Sequence, residues 1–95
     1  MAATQPTERR TAHYSGRVQG VGFRYTARQI AESFDVTGYV QNLDDGRVRV
    51  VAEGEAAELD RFLGRIAETM ARYIRNVDVS TAEASGEFDR FGVEM

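Results

Sequence analysis

Two stretches of helical periodicity lie among stretches of strand-like polarity, in the order strand, helix, strand, strand, helix, strand. A tight-turn signal joins the two middle strands, and a short alternating stretch follows at the C-terminal end. These observations predict an α+β domain of ferredoxin-like plan. It is a two-layer α/β sandwich, βαββαβ plus a short C-terminal strand, with an antiparallel sheet covered by two helices.

Each element has its own signal. Thr11 to Val18 reads TAHYSGRV, a short strand of mixed polarity. Phe23, Ala27, Ile30, Ala31 and Phe34 then recur at helical spacing on one face. Gly38 breaks that pattern, and a second strand runs from Tyr39 to about Leu43. Asp44-Asp45-Gly46 supplies the positive φ of a tight hairpin. A third strand follows, Arg47 to Glu53. Val48, Val50 and Ala52 lie on one face, and Arg47, Arg49, Val51 and Glu53 on the other. Leu59, Phe62, Leu63, Ile66, Met70 and Tyr73 form the stripe of a longer helix, which a sandwich must bury as core. Val77 to Ala84 is a fourth strand, Ser85-Gly86-Glu87 a turn, and Phe91, Val93 and Met95 a closing strand.

The bulk composition narrows the function. At 95 residues the chain makes one domain. A domain of this size buries only about 60–65% of its unfolded surface, so the core is thin. The net charge of −3 argues against a general nucleic-acid binder. All 12 basic residues are Arg, and there is no Cys, which excludes disulfides, thiolate catalysis and cysteine metal sites. Residues 1–10, MAATQPTERR, lack the apolar core of a signal peptide and read as a flexible polar leader to a domain over residues 11–95. No apolar run approaches the ~20 residues of a membrane span. The expectation is a cytoplasmic protein.

The glycines at 16, 20 and 22 cluster between the first strand and the first helix, in Ser15–Arg24, SGRVQGVGFR. A loop there can turn several N–H groups inward as an anion nest, and the helix that follows adds the positive end of its dipole. Arg24, in the first helical turn, can close the cradle, since its planar fork matches two phosphate oxygens. The loop is neither a Walker A sequence nor a dinucleotide fingerprint. Asn42, at the end of the second strand, offers an amide that can hold a water or cap the hairpin turn. His13 is the sole His and reads as an ordinary strand residue. No dyad, triad or metal cluster can be assembled around it.

SGRVQGVGFR followed by GYVQNLDDGRVRVVAEG resembles the acylphosphatase signature, and the resemblance extends from about Ala12 to Met95. It implies hydrolysis of the carboxyl–phosphate anhydride of acyl phosphates to a carboxylate and inorganic phosphate. By the resemblance Arg24 binds the phosphoryl oxygens and Asn42 orients the attacking water. Arg17, Val18, Gln19, Gly20, Val21 and Gly22 contribute the substrate-binding loop, where a phosphate or sulfate anion would bind. It further implies no metal or cofactor, a monomer, and a sheet with the first and third strands at its centre. The chain departs from the family pattern in having Tyr39 where Trp is frequent. It also lacks a Gly-Pro-rich stretch after the second helix, which leaves the end of that helix open.

The chemistry suits so sparse a site. A carboxylate with a conjugate-acid pKa around 4 leaves without protonation, and phosphoryl transfer runs mainly on positioning and charge stabilisation. Arg47, Arg49 and Glu53 read as solvated or cross-strand paired. Arg61, Arg65, Arg72 and Arg75, with Glu58 and Glu68, read as the solvated side of the second helix. The rival readings are an RNA-recognition module, a non-hydrolytic phosphate sensor, and a relative of the similar domain found in a larger maturation enzyme. RNA modules of this strand order stack bases on aromatics of the third strand, and Arg47 to Glu53 contains none. Titration with single-stranded RNA is therefore expected to show no salt-sensitive affinity. A steep salt dependence would favour the RNA reading.

Overall fold

The structure, a computed structural model, describes residues 7–95. β1 (Thr7–Gly16) leads through a glycine loop into α1 (Phe23–Ala31). β2 (Thr37–Asn42) and β3 (Val48–Glu55) form the hairpin, and α2 (Ala56–Thr69) follows. β4 (Ile74–Glu83) and β5 (Phe91–Glu94) close the chain. The five strands make one sheet in the order β4-β1-β3-β2-β5, so the first and third strands lie side by side in its interior. The first four strands pair antiparallel as expected. The sheet is nevertheless mixed, because β5 runs parallel to β2, with Val40 opposite Val93.

β1 begins at Thr7 rather than Thr11, so residues 7–10 of the expected leader are sheet. The polar Glu8-Arg9-Arg10 run is held because β1 pairs on both edges, with Arg9 opposite both Glu53 and Ala82. Ion pairs add to it, Arg9 to Glu53 at 2.8 Å and Arg10 to Asp60 at 2.6 Å. The rest of the leader, residues 1–6 with Pro6, lies outside the described residues. α1 stops at Ala31 rather than Phe34. Ser33 and Phe34 continue in tighter turns, donating to the carbonyls of Ile30 and Ala31. α2 ends at Thr69, and Tyr73 closes a turn onto the carbonyl of Met70. Arg72 therefore lies in a turn, its guanidinium 5.9 Å from the Tyr73 ring, and Arg75 lies on β4.

Both helices pack on one face of the sheet. The core joins Ala12 and Tyr14 of β1 with Val48, Val50 and Ala52 of β3, under Phe23, Ala27, Leu59, Phe62 and Ile66 of the helices. Tyr14 meets Phe23 at 5.0 Å between ring centroids, and Phe62 meets Phe91 edge-on at 5.2 Å. β2 and β3 come unusually close at Gly38, which lies inside β2 with φ 139°. A Cβ there would stand 1.9 Å from the Val51 carbonyl oxygen. β4 is different. Its alternation marks an inner and an outer face, yet Val77 and Val79 are 41% and 50% exposed, because this edge strand extends beyond the cover of the helices.

The opposite face of the sheet is not simply solvated. Glu53 is buried there. It accepts hydrogen bonds from Arg9 Nε at 2.8 Å, from the Ser85 N–H and hydroxyl at 2.9 and 3.0 Å, and from the Gly86 N–H at 3.0 Å. Tyr39 and Phe88 meet edge-on beside it, with Arg9 over the Phe88 ring. The 84–90 crossover is thereby strapped to the central strands. Burial opposes the charge on Glu53, but the Ser85 N–H, Arg9 and the Gly86 N–H outweigh it and hold the carboxyl at about 2.

A folded-state pKa below the ordinary value of 4.5 stabilises the fold above pH 4.5. That contribution, on the order of 2–3 kcal/mol, is lost as pH falls from 4.5 towards 2. Glu53→Gln is expected to be less stable at pH 7 by a similar amount and to lose less stability on acidification. Urea unfolding of both proteins at pH 7 and pH 3 checks this.

Candidate active site

The loop between β1 and α1 is fixed by its side chains and leaves its peptide groups free. Val18 is fully buried in the core, and Val21 packs against it. Gly20 and Gly22 have φ of 77° and 81°, the left-handed region closed to most residues. Neither would meet another atom with an added Cβ, so their place is set by conformation and by the open space in front of them. Gly22 precedes the first turn of α1 and accepts its first hydrogen bond, from the Thr26 N–H at 2.9 Å. The N–H groups of Phe23, Arg24 and Tyr25 are thus left without helical partners. Among the described residues, the N–H groups of residues 18–22 donate to no backbone carbonyl outside the helices and strands.

Arg17 differs from its neighbours. Its N–H is committed to the Tyr73 carbonyl at 3.0 Å. Its side chain lines a separate concavity with Ser15, Arg75 and Asn76, away from the cleft described next. Among the loop residues expected to bind substrate, Arg17 thus stands apart in lining this concavity and in having its N–H engaged.

A cleft of about 310 Å³ opens over the loop, and Gly20, Gly22, Phe23, Arg24 and Asn42 line it. The structure thus brings together Arg24 and Asn42, which are 18 positions apart in sequence. Arg24 is half-buried and, among the described residues, forms no ion pair. Asn42 ends β2 opposite Val48, and its Oδ1 is buried without a hydrogen-bond partner among the described residues. An unsatisfied buried acceptor of this kind costs about 1–3 kcal/mol, so the site favours a donor facing Asn42. Among the described residues there is no His, Asp and Glu cluster able to hold a metal ion.

Gln19 acts in a way that its place in the motif does not reveal. Its side-chain amide donates to the carbonyls of Leu43 at 2.8 Å and Arg47 at 3.0 Å. Those carbonyls form the neck of the β2–β3 hairpin, where the Leu43 N–H also reaches the Arg47 carbonyl at 2.8 Å. One side chain of the loop therefore clamps the hairpin that carries Asn42. Of the loop residues expected to bind substrate, Val18, Gly20 and Gly22 line the cleft, whereas Gln19 and Val21 do not. Their conformity to a helical or strand period gives no hint of this, since the contacts are long-range.

His13 lies off the site. It is on β1 opposite Arg49, and it accepts a hydrogen bond at Nε2 from Arg49 Nε at 3.2 Å. Burial, then the charges of Arg47 and Arg49, lower its pKa, which keeps the imidazole neutral. Arg47 itself lies in the hairpin turn, paired with Asp45 at 2.8 Å.

The acylphosphatase family model matches residues 10–93. An acylphosphatase of Lactobacillus gasseri is 40% identical over 85 residues, 87% of this chain and 93% of that protein. One from Paenarthrobacter aurescens is 42% identical over 91 residues, covering 95% and 97%. Among solved structures, the acylphosphatase from Bacillus subtilis has a TM-score of 0.83 at 29% identity, covering 93% of this chain and 99% of that one.

Replacing Gln19 by Met removes both clamp bonds while keeping the length of the side chain. A loss of about 1–2 kcal/mol in stability is expected. Turnover is expected to fall more than the affinity for inorganic phosphate, because Asn42 moves relative to an otherwise intact loop. Urea unfolding, kcat and the phosphate inhibition constant measure the three quantities.

Proposed function

This chain belongs to the acylphosphatase family and hydrolyses the carboxyl–phosphate anhydride of acyl phosphates, and from that premise we propose how its residues do so. The phosphoryl group docks against the free N–H groups of the 18–22 loop and the start of α1, with the Arg24 guanidinium bridging two of its oxygens. Inorganic phosphate or sulfate would bind in the same place. Asn42 Oδ1 accepts a hydrogen bond from the attacking water and aims a lone pair at phosphorus. The water oxygen forms the new P–O bond, and the bond from phosphorus to the acyl oxygen breaks. The acyl group leaves as carboxylate, and the water proton passes to a phosphoryl oxygen. The observation that carries this reading is the meeting, in one cleft, of a guanidinium, loop amides and a buried amide oxygen that have no partners among the described residues.

The division of labour follows from where charge develops. An Arg aimed at a transferring phosphoryl group contributes about 10³–10⁵ in rate. The negative charge spread over the equatorial oxygens meets the guanidinium and the helix end without reorganisation. No carboxylic acid or imidazole among the described residues lines the cleft to protonate a leaving group, which favours phosphates whose leaving group is already a weak base. We further infer a metal-independent enzyme, acting as a cytoplasmic monomer. In support, no helix among the described residues is long and apolar enough to cross a membrane.

Purified protein is expected to release phosphate from acetyl or benzoyl phosphate equally with and without EDTA. Loss of turnover on chelation would overturn the metal-free reading. Arg24→Gln should reduce kcat/KM by at least about 10³-fold, and Arg24→Lys nearly as far because the fork is lost. Asn42→Ala should lower kcat while phosphate inhibition stays close to the parent value, since the water counts in the transition state. Retained activity in Arg24→Gln would refute the assignment.

A further inference from the structure

The cleft extends past the phosphate cradle, and its outer part has a composition of its own. Of the five large apolar side chains that stand exposed among the described residues, three line this cleft: Tyr25, Val93 and Met95. Tyr25 is 62% exposed, and its hydroxyl accepts a hydrogen bond from Gln29 Nε2 at 2.9 Å, which orients the ring. A cluster of exposed apolar groups around one opening marks a ligand surface more often than chance exposure does. Arg28 lines the same cleft, one helical turn beyond Arg24. Positions four apart share a helix face, separated by about 6 Å along the axis. Arg28 stands on the ridge towards a second concavity that includes Glu32 and Asp89, yet it forms an ion pair with neither. No acidic residue lines the cleft itself.

We propose that Arg28 is a specificity-determining residue that pairs with a second anionic group at the far end of the acyl chain, while Tyr25, Val93 and Met95 cover the methylenes between. The favoured substrates are then short acyl phosphates that end in a carboxylate or a phosphate. The inference rests on the proposed placement of the phosphoryl group at Arg24. Arg28 springs from a backbone position about 6 Å further along the helix than Arg24, an offset on the scale of a short diacid chain. Arg suits the task, because its fork reads a carboxylate or a phosphate in two hydrogen bonds. The apolar rim would be wet and unused if the acyl group were as small as acetyl.

The test compares kcat/KM for monosuccinyl phosphate and for butyryl phosphate, a chain of the same length ending in methyl. A third probe carries a terminal phosphate on a similar chain and distinguishes the two anions. The wild-type enzyme is expected to favour at least one anion-ended substrate by about 5- to 10-fold, mainly through KM. Arg28→Gln should bring the ratio close to one, and Arg28→Lys should restore part of it. The phosphate inhibition constant of Arg28→Gln should stay near the parent value. Equal rates on all probes by the active wild type would overturn this proposal and leave the assignment of Arg24 standing. A preference that survives in Arg28→Gln, or a weakened phosphate inhibition with the ratio unchanged, would also overturn it. Failure to hydrolyse any probe would overturn the parent reading and this one together.

Discussion

The Gln19 side chain gives both its N–H groups to the neck of a hairpin, the nearer carbonyl lying 24 positions further along the chain, and the geometry of the cleft follows from that contact. On one side of it lies a loop whose peptide groups face outwards. On the other lies the strand end that presents Asn42. Neither half has a reason of its own to keep its distance from the other, since loops and hairpin tips are the mobile parts of small domains. The buried Val18 fixes the loop against the core, and the interior pairing of β1 with β3 fixes the hairpin's base. The amide clamp then joins two surfaces that the core alone would leave loosely related.

Charge is distributed with the same economy. The chain is acidic overall, yet the cleft is cationic. Arg9, Arg10, Arg47 and Arg61 are taken up by ion pairs with Glu53, Asp60, Asp45 and Glu58. Such pairs at the surface add little stability singly. Their effect here is to engage carboxylates elsewhere, and among the described residues no carboxylate side chain lines the cleft that Arg24 and Arg28 face. An anion approaching this protein meets a repulsive average field that is locally reversed at the cleft, which works against unspecific binding of polyanions.

Much of the design was legible in the sequence because it is local. The helical stripes, the Asp-Gly turn and the glycine spacing each declare themselves within a few residues, and they place Arg24 at a helix start and Asn42 at a strand end. The meeting of those two residues was legible only through resemblance, since no local signal carries a distance between loops. What could not be read depends on remote partners. Glu53 reads as a solvated or cross-strand paired residue, and Arg9 opposite it bears out the pairing, but its burial under Ser85 and Gly86 has no local signal. The polar start of β1 looks like a leader until strands on both sides pair with it. Val77 and Val79 alternate like core residues, but alternation marks a face and says nothing of whether a helix reaches it. Arg17 belongs to the motif by position, and only the Tyr73 carbonyl shows that its amide is already engaged.

The cradle loop is built from peptide groups, with its valine side chains turned into the core and its glycines bare. A binding surface of that kind has almost no chemistry to lose. There is no thiol in the chain to oxidise, and the one imidazole is on another part of the sheet. Evolution can therefore alter most side chains around this site without touching the peptide groups of the loop, provided that the backbone keeps its path. The permanence of the loop and the freedom of its surroundings come from one cause: what the loop offers the cleft is peptide groups, on a path that its glycines at 20 and 22 allow.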